Sequence, residues 1–230
     1  MCQSRTNGGK QLVEFPSIKA VIFDFGRVIS AQKPLSLFRA YEKELGLAPD
    51  TINQIMFESQ AWQDALIGTK SLKEFWHAIG PALGLASREK IDDFHRRYHA
   101  DESIDRGVLS IIRQLHGRYK LAVLSNSPPD LGEWLSDWGI LDVFDVVYCS
   151  GDEAMIKPDP AVYHATLNRL GILPHEAVFI DDTIGHVKAA QSLGIHGIEF
   201  TNAEQLELEL DALLTLQGKG QTESGRSTRL

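Results

Sequence analysis

An uninterrupted apolar run, Ala20-Val21-Ile22-Phe23, stops abruptly at Asp24-Phe25-Gly26. A run with no polar residue at alternate positions leaves no face for water, so it fits a strand covered on both sides, as in a parallel sheet. The second half of the chain supplies partners for it. Tyr119 to Leu124, Phe144 to Cys149, Ala177 to Ile180 and His196 to Phe200 read as further strands. Between them the spacing turns helical. Trp134, Leu135 and Trp138 precede Gly139, and Tyr163, Leu167 and Leu170 follow Asp159-Pro160, with proline at the first helical position. Strand and helix alternating in this way predict an α/β fold, a Rossmann-like parallel sheet with helices on both faces.

The alternation is broken once, early in the chain. Between about Pro34 and His116 four helical patterns follow one another. Leu35, Phe38, Tyr41 and Leu45 keep one face. Ser71 and Glu74 form a capping-box signature ahead of Leu72, Phe75, Trp76 and Ile79. Ser87 starts a third helix, and Val108, Ile111, Ile112 and Leu115 mark a fourth, stopped by Gly117. The expected organisation is a core over 18–31 and 107–217, with a helical cap inserted over 32–106. Flexible tails are expected over 1–17 and 218–230, where no periodic pattern is present.

In open α/β sheets ligands bind beyond the carboxyl ends of the strands. The first strand delivers Asp24 there, the second Ser125 and Asn126, the loop after the third Lys157, and the fourth Asp181 and Asp182. Three carboxylates brought close together repel, and stay ionised together only beside a cation. Hard oxygen ligands suit Mg²⁺, which keeps open positions for water and phosphate oxygens. Lys157 and the Ser125 hydroxyl suit a phosphoryl group, and a carboxylate beside that group can attack it to give an aspartyl-phosphate.

The net charge of −8 argues against a broad nucleic-acid-binding face. No apolar run is long enough to span a bilayer. The two cysteines, Cys2 and Cys149, make neither a disulfide framework nor a zinc spacing. Met1 to Lys10 lacks the apolar stretch of a secretory signal. A cytoplasmic location with free thiols is therefore expected.

These motifs together resemble those of the haloacid dehalogenase-like (HAD) hydrolase superfamily. Val21-Ile22-Phe23-Asp24-Phe25-Gly26-Arg27-Val28-Ile29 is similar to its first motif, Leu124-Ser125-Asn126 to its second, Lys157-Pro158 to its third, and Phe179-Ile180-Asp181-Asp182 to its fourth. Gly68-Thr69-Lys70-Ser71-Leu72-Lys73-Glu74-Phe75-Trp76 is similar to the cap of bacterial sugar-1-phosphate phosphatases. The resemblance implies Asp24 as nucleophile and metal ligand. It also implies Gly26 as a ligand through its carbonyl, Asp182 as the main acidic ligand with Asp181 assisting, and Ser125, Asn126 and Lys157 holding phosphate. The substrate it implies is a small phosphorylated metabolite, sugar phosphates among the candidates.

Two positions depart from the pattern. Most phosphatases of the family carry a second Asp two residues after the nucleophile, to protonate the leaving group; here it is Gly26. His186 stands where close relatives often have Asn, and could orient Asp182, bind solvent or move a proton. Arg27 is also unusual, with a contact to phosphate or to the cap interface as its two readings. His77, His95 and His99 are expected at the surface or at an interface. A metal-free haloacid dehalogenase and a catalytically weak phospho-ligand-binding or partner-binding member are the competing readings. Specificity is expected to lie between about Ser36 and Tyr98.

Overall fold

The computed structural model describes residues 17–222. The expected tails fall outside these residues, apart from Ser17 and 218–222. Those last five continue the final helix, which therefore runs further than the sequence pattern suggests.

Five strands, β1 (Ala20–Phe23), β2 (Lys120–Ser125), β3 (Val146–Cys149), β4 (Ala177–Asp181) and β5 (His196–Glu199), form one parallel sheet in the order β3-β2-β1-β4-β5. The alternation of side chains along each strand divides the core in two. Val21, Phe23, Leu121, Val123, Val178, Ile180 and Ile198 face one way. Ala20, Ile22, Ala122, Leu124, Ala177 and Phe179 face the other. Apolar residues on both faces explain why the strands read as continuous runs.

Helices α1 (Leu35–Leu45), α2 (Thr51–Phe57), α3 (Gln60–Leu66), α4 (Leu72–Ile79) and α5 (Arg88–Ala100) follow β1, and α6 (Arg106–Leu115) leads into β2. The sequence reading has no counterpart for α2 and α3, because two turns are too short to establish a helical period. The expected capping box is present: Ser71 Oγ accepts the Glu74 N–H at 3.2 Å, and Glu74 Oε2 accepts the Ser71 N–H at 2.8 Å.

Helices α7 (Leu131–Asp137), α8 (Ser150–Glu153), α9 (Pro160–Leu170), α10 (Ile184–Ser192) and α11 (Ala203–Thr222) follow among the described residues. α6, α7 and α11 cover one face of the sheet through Val108, Ile112, Leu135, Leu206 and Leu210. α9 and α10 cover the other through Val162, Tyr163, Leu167 and Ala190.

α1 to α5 bury their apolar faces against one another. Tyr41, Ile52, Met56, Phe75, Trp76, Ile79, Ile91 and Phe94 form a third cluster, separate from the two on the sheet. This segment leaves and rejoins the rest at one joint. The Ala31 N–H donates to the Ser103 carbonyl at 2.8 Å, the Asp105 N–H donates to the Ile29 carbonyl at 2.9 Å, and Ser30 and Ile104 form an antiparallel bridge between them. A second contact lies at Gly68. Its φ of +74° is left-handed, and any side chain there would collide with the Gly151 carbonyl.

Candidate active site

β1 is flanked by β2 and β4, which makes the carboxyl end of β1 the point where the strand order turns and a crevice opens. Register then does the placing. Phe23 is level with Ile180 and with Val123, so Asp24 emerges beside Asp181, with Ser125 one strand across. The Asp24 N–H donates to the Ile180 carbonyl at 2.8 Å, tying the two acids' backbones together.

Beyond Asp24 the chain makes a wide turn in which the Ser30 N–H donates to the Phe25 carbonyl at 2.8 Å. Arg27 closes this turn in the left-handed region at φ 60°, and its N–H donates to Ser30 Oγ at 3.1 Å. Gly26, by contrast, has ordinary angles, φ −65° and ψ 123°. A Cβ built on it meets nothing within 4 Å.

Lys157 is the centre of the charge arrangement. Its side chain is 1% exposed, and its Nζ lies 2.9 Å from Asp24 Oδ1 and 2.6 Å from Asp181 Oδ2. Asn126 fixes the lysine's backbone: its Oδ1 accepts the Lys157 N–H at 2.7 Å and its Nδ2 donates to the Lys157 carbonyl at 2.9 Å. The Asn126 side chain thus contributes by positioning Lys157. Ser125 is buried at the end of β2 and lines the same cavity.

The two acids of β4 have different surroundings. Asp181 is fully buried, holds Lys157, accepts the Thr183 N–H at 2.8 Å, and lies 3.0 Å from His186 Nδ1. Asp182 is partly exposed and lies 2.8 Å from Arg27 Nη2. Asp181 is the last residue of β4 and Asp182 lies just past it, so the sequence pair alone does not reveal which partner each meets. His186 meets Asp181, where one of the readings open to it from the sequence is the orientation of Asp182. Arg27 meets Asp182, a contact that neither sequence reading of Arg27 contains.

One carboxylate each from Asp24, Asp181 and Asp182 brings an oxygen within 4.8 Å of the others. Burial pushes the Asp24 carboxyl above its usual range, against the pull of Lys157 and with the push of Asp181. Burial acts on Asp181 in the same direction, but the His186 hydrogen bond and Lys157 outweigh it, and its carboxyl lies below the usual range. Burial alone would lower the lysine, yet Asp24 and Asp181 hold it above its ordinary value. One buried cation between two buried anions leaves an excess of negative charge, so the donor set fits a hard divalent cation.

The acids open into a cavity of about 660 Å³ between the sheet edge and α1 to α5. Its wall includes Phe38, Met56, Trp62, Phe75 and Trp76 from the helical segment, all inside the range where specificity is expected. Leu131 and Trp134 of α7 also line it and lie outside that range. Their apolar spacing carries no signal that separates a cavity wall from a core face. His95 and His99 line the cavity too, and His99 packs against Trp134 where the helical segment meets the core. Of the two expected settings, surface or interface, these two histidines take the second. His77 pairs with Asp92 at 2.8 Å.

The family model described as haloacid dehalogenase-like hydrolase matches residues 14–194. The sequence is 29% identical over 203 residues to the sesquiterpene phosphatase astK of Aspergillus oryzae, covering 86% of this chain and 97% of that protein. It is 27% identical over 207 residues to a D-ribitol-5-phosphate phosphatase of Bacteroides thetaiotaomicron, covering 86% of this chain and 98% of that protein. Among solved structures, a HAD family enzyme of the same bacterium, in complex with magnesium and inorganic phosphate, shares the fold. Its TM-score is 0.67 at 24% identity, covering 81% of this chain and 96% of that one.

Proposed function

The chain belongs to the haloacid dehalogenase-like hydrolase family, and from that membership we propose that it is a magnesium-dependent phosphatase of small phosphorylated metabolites, working through an aspartyl-phosphate on Asp24. It is a hydrolase of phosphate monoesters. The observation that carries the proposal is the convergence of three carboxylates around Lys157 at the end of β1.

Asp24 and Asp182 would hold the magnesium ion, with the Gly26 carbonyl as a further ligand and Asp181 assisting. When bound, the ion neutralises the acids and draws charge from the phosphate oxygens. Asp24 presents its free carboxylate oxygen to phosphorus, while its Oδ1 accepts the Phe25 N–H at 2.7 Å, which keeps the side chain aimed. The bond from aspartate oxygen to phosphorus forms as the bond to the leaving alcohol oxygen breaks, and water then hydrolyses the acyl phosphate. Lys157 stays cationic throughout and offsets the charge on the transferring group, and the Ser125 hydroxyl donates to it. Asn126 serves the phosphate through Lys157.

Metal-free halide displacement makes no use of two further acids converging on the nucleophile, so the dehalogenase reading is not favoured. No helix among the described residues is long and apolar enough to cross a membrane. Cys149 is a free buried thiol, in keeping with the proposed cytoplasmic location.

The test is a screen of phosphorylated metabolites with and without Mg²⁺, with p-nitrophenyl phosphate as reference. Hydrolysis that depends on Mg²⁺ supports the proposal, and full activity in the presence of a chelator overturns it.

Gly26 allows a sharper prediction. Its backbone angles suit any residue, and a side chain there meets open space. The missing leaving-group acid is therefore a matter of chemistry and not of steric conflict. Gly26→Asp is expected to raise kcat/KM on primary alkyl phosphates by about 10–100-fold, within the range of general acid catalysis. Hydrolysis of p-nitrophenyl phosphate, whose leaving group needs little protonation, should change by less than about threefold. Steady-state kinetics on the two substrates check this, and equal effects on both would remove the leaving-group argument.

A further inference from the structure

We infer that the organic part of the substrate is apolar, a hydrocarbon-like body of roughly ten to fifteen carbons seated against the aromatic wall of the helical segment, with its phosphate at Lys157. The inference rests on the phosphatase reading for the phosphate end only; the wall argues for the body by itself.

The cavity has two chemically distinct sets of lining residues. The carboxyl ends of β1 and β2 and the chain after β3 bring Asp24, Ser125 and Lys157, the helical segment brings Phe38, Met56, Trp62, Phe75 and Trp76, and α7 adds Trp134. A polyol needs a hydrogen-bond partner for each hydroxyl it buries, and an unpaired one costs about 1–3 kcal/mol. Three of the polar groups of the wall are engaged within the protein. Lys33 pairs with Glu102 and lies 4.3 Å from the Tyr98 ring centroid. Arg27 is held by Asp182, and Asn126 by the Lys157 backbone.

The histidines add ring surface more than polarity. His95 stacks on Trp76 with centroids 5.0 Å apart and planes 23° apart, and His99 lies 3.6 Å from the Trp134 ring centre. Burial lowers the His95 imidazole to about 4, so it is neutral at pH 7. Its Nε2 is buried without a hydrogen-bond partner, and Lys33 Nζ, buried on the same wall, has only its ion pair with Glu102; a polyol would require more polar partners than these two. Asn53 is a further polar group of the helical wall.

The size agrees. A volume of about 660 Å³ holds roughly 20 groups the size of a water molecule, at about 30 Å³ each. A methylene is of similar bulk, so a phosphate and ten to fifteen carbons fill most of the space. Transfer of such a body from water is favourable in proportion to the apolar area buried.

The test is a ladder of non-hydrolysable alkylphosphonates, ethyl to decyl, titrated calorimetrically into the Mg²⁺-loaded protein, with a phosphonate analogue of ribitol 5-phosphate alongside. Affinity is expected to rise about two- to fourfold per methylene. Trp62→Ala is expected to lower the ratio of decyl to ethyl affinity by about fivefold or more. A flat ladder, no binding by any member, or tighter binding of the polyol than of octylphosphonate overturns the inference. An unchanged ratio in Trp62→Ala overturns the assignment of the body to this wall. Turnover of p-nitrophenyl phosphate is measured in parallel. A flat ladder with turnover removes the apolar body and keeps the phosphatase; a rising ladder with no turnover of any ester does the reverse.

Discussion

Replacing Asp24 with asparagine is expected to lower kcat for p-nitrophenyl phosphate by about 10⁴-fold or more, the scale seen when a covalent nucleophile is removed. The amide is nearly the same size as the carboxylate, and its oxygen can still accept the Phe25 N–H. What it lacks is the charge and the nucleophilic oxygen. The fold should tolerate the change. Burial disfavours the ionised form of Asp24, and Asp181 at the same lysine adds to that cost. With a neutral amide in place of Asp24, Lys157 and Asp181 remain as a compensated pair at 2.6 Å. The expected result is therefore an inactive protein whose thermal midpoint is unchanged or higher. A variant that retained wild-type turnover would rule out the aspartyl-phosphate route, and mass spectrometry of a trapped phosphoenzyme gives the direct reading.

Lys157→Met should behave in the opposite way, losing stability as well as activity. Methionine keeps much of the stem's volume but leaves Asp24 and Asp181 buried together with no cation between them. Removing one partner of a buried ionic cluster costs about 3–5 kcal/mol. At about 2–4 °C per kcal/mol for a chain of this size, the thermal midpoint should fall by roughly 10 °C. Saturating Mg²⁺ should recover part of that loss, because a cation that binds only the folded protein stabilises it by mass action. Turnover should fall by about 10²–10³-fold, as when one fixed stabiliser of the transferring charge is deleted. An unchanged midpoint in a melting experiment would mean that the lysine is not what keeps the two acids in place.

The sequence was most informative where one physical rule dominates. Ala20 to Phe23 fitted a doubly covered strand, and as β1 of the parallel sheet it puts Asp24 at the carboxyl edge. Asp159-Pro160 and Gly171 bounded α9 because a proline at N1 and a left-handed glycine leave few alternatives. Sequence was weakest where side-chain direction decides. Asp181 and Asp182 are neighbours with the same chemistry, and only the fold shows that Asp181, the last residue of β4, meets Lys157 while Asp182, just past it, meets Arg27. Asn126 stands in the predicted set, yet its link to the Lys157 backbone spans 31 residues and depends on how the loops after β2 and β3 meet. Trp134 satisfies the helical spacing of a core residue whether it faces a neighbour or an open cavity. Arg27 owes its contact with Asp182 to a left-handed backbone that no residue preference announces.

The joint at Ser30 and Ile104 has a consequence for how such a protein can change over time. Because outgoing and returning chain are hydrogen-bonded to each other there, everything beyond them is a closed loop grafted onto one socket. Lengthening such a loop is thermodynamically inexpensive, about 0.6 kcal/mol for each doubling. A different helical insert spliced between those residues would leave the register of β1 against β2 and β4 as it is, and with it Asp24 beside Asp181. The acids and lysine at the strand ends and most of the wall around the substrate are thus written on separable parts of the chain, with Leu131 and Trp134 of α7 as the share of that wall that stays with the core.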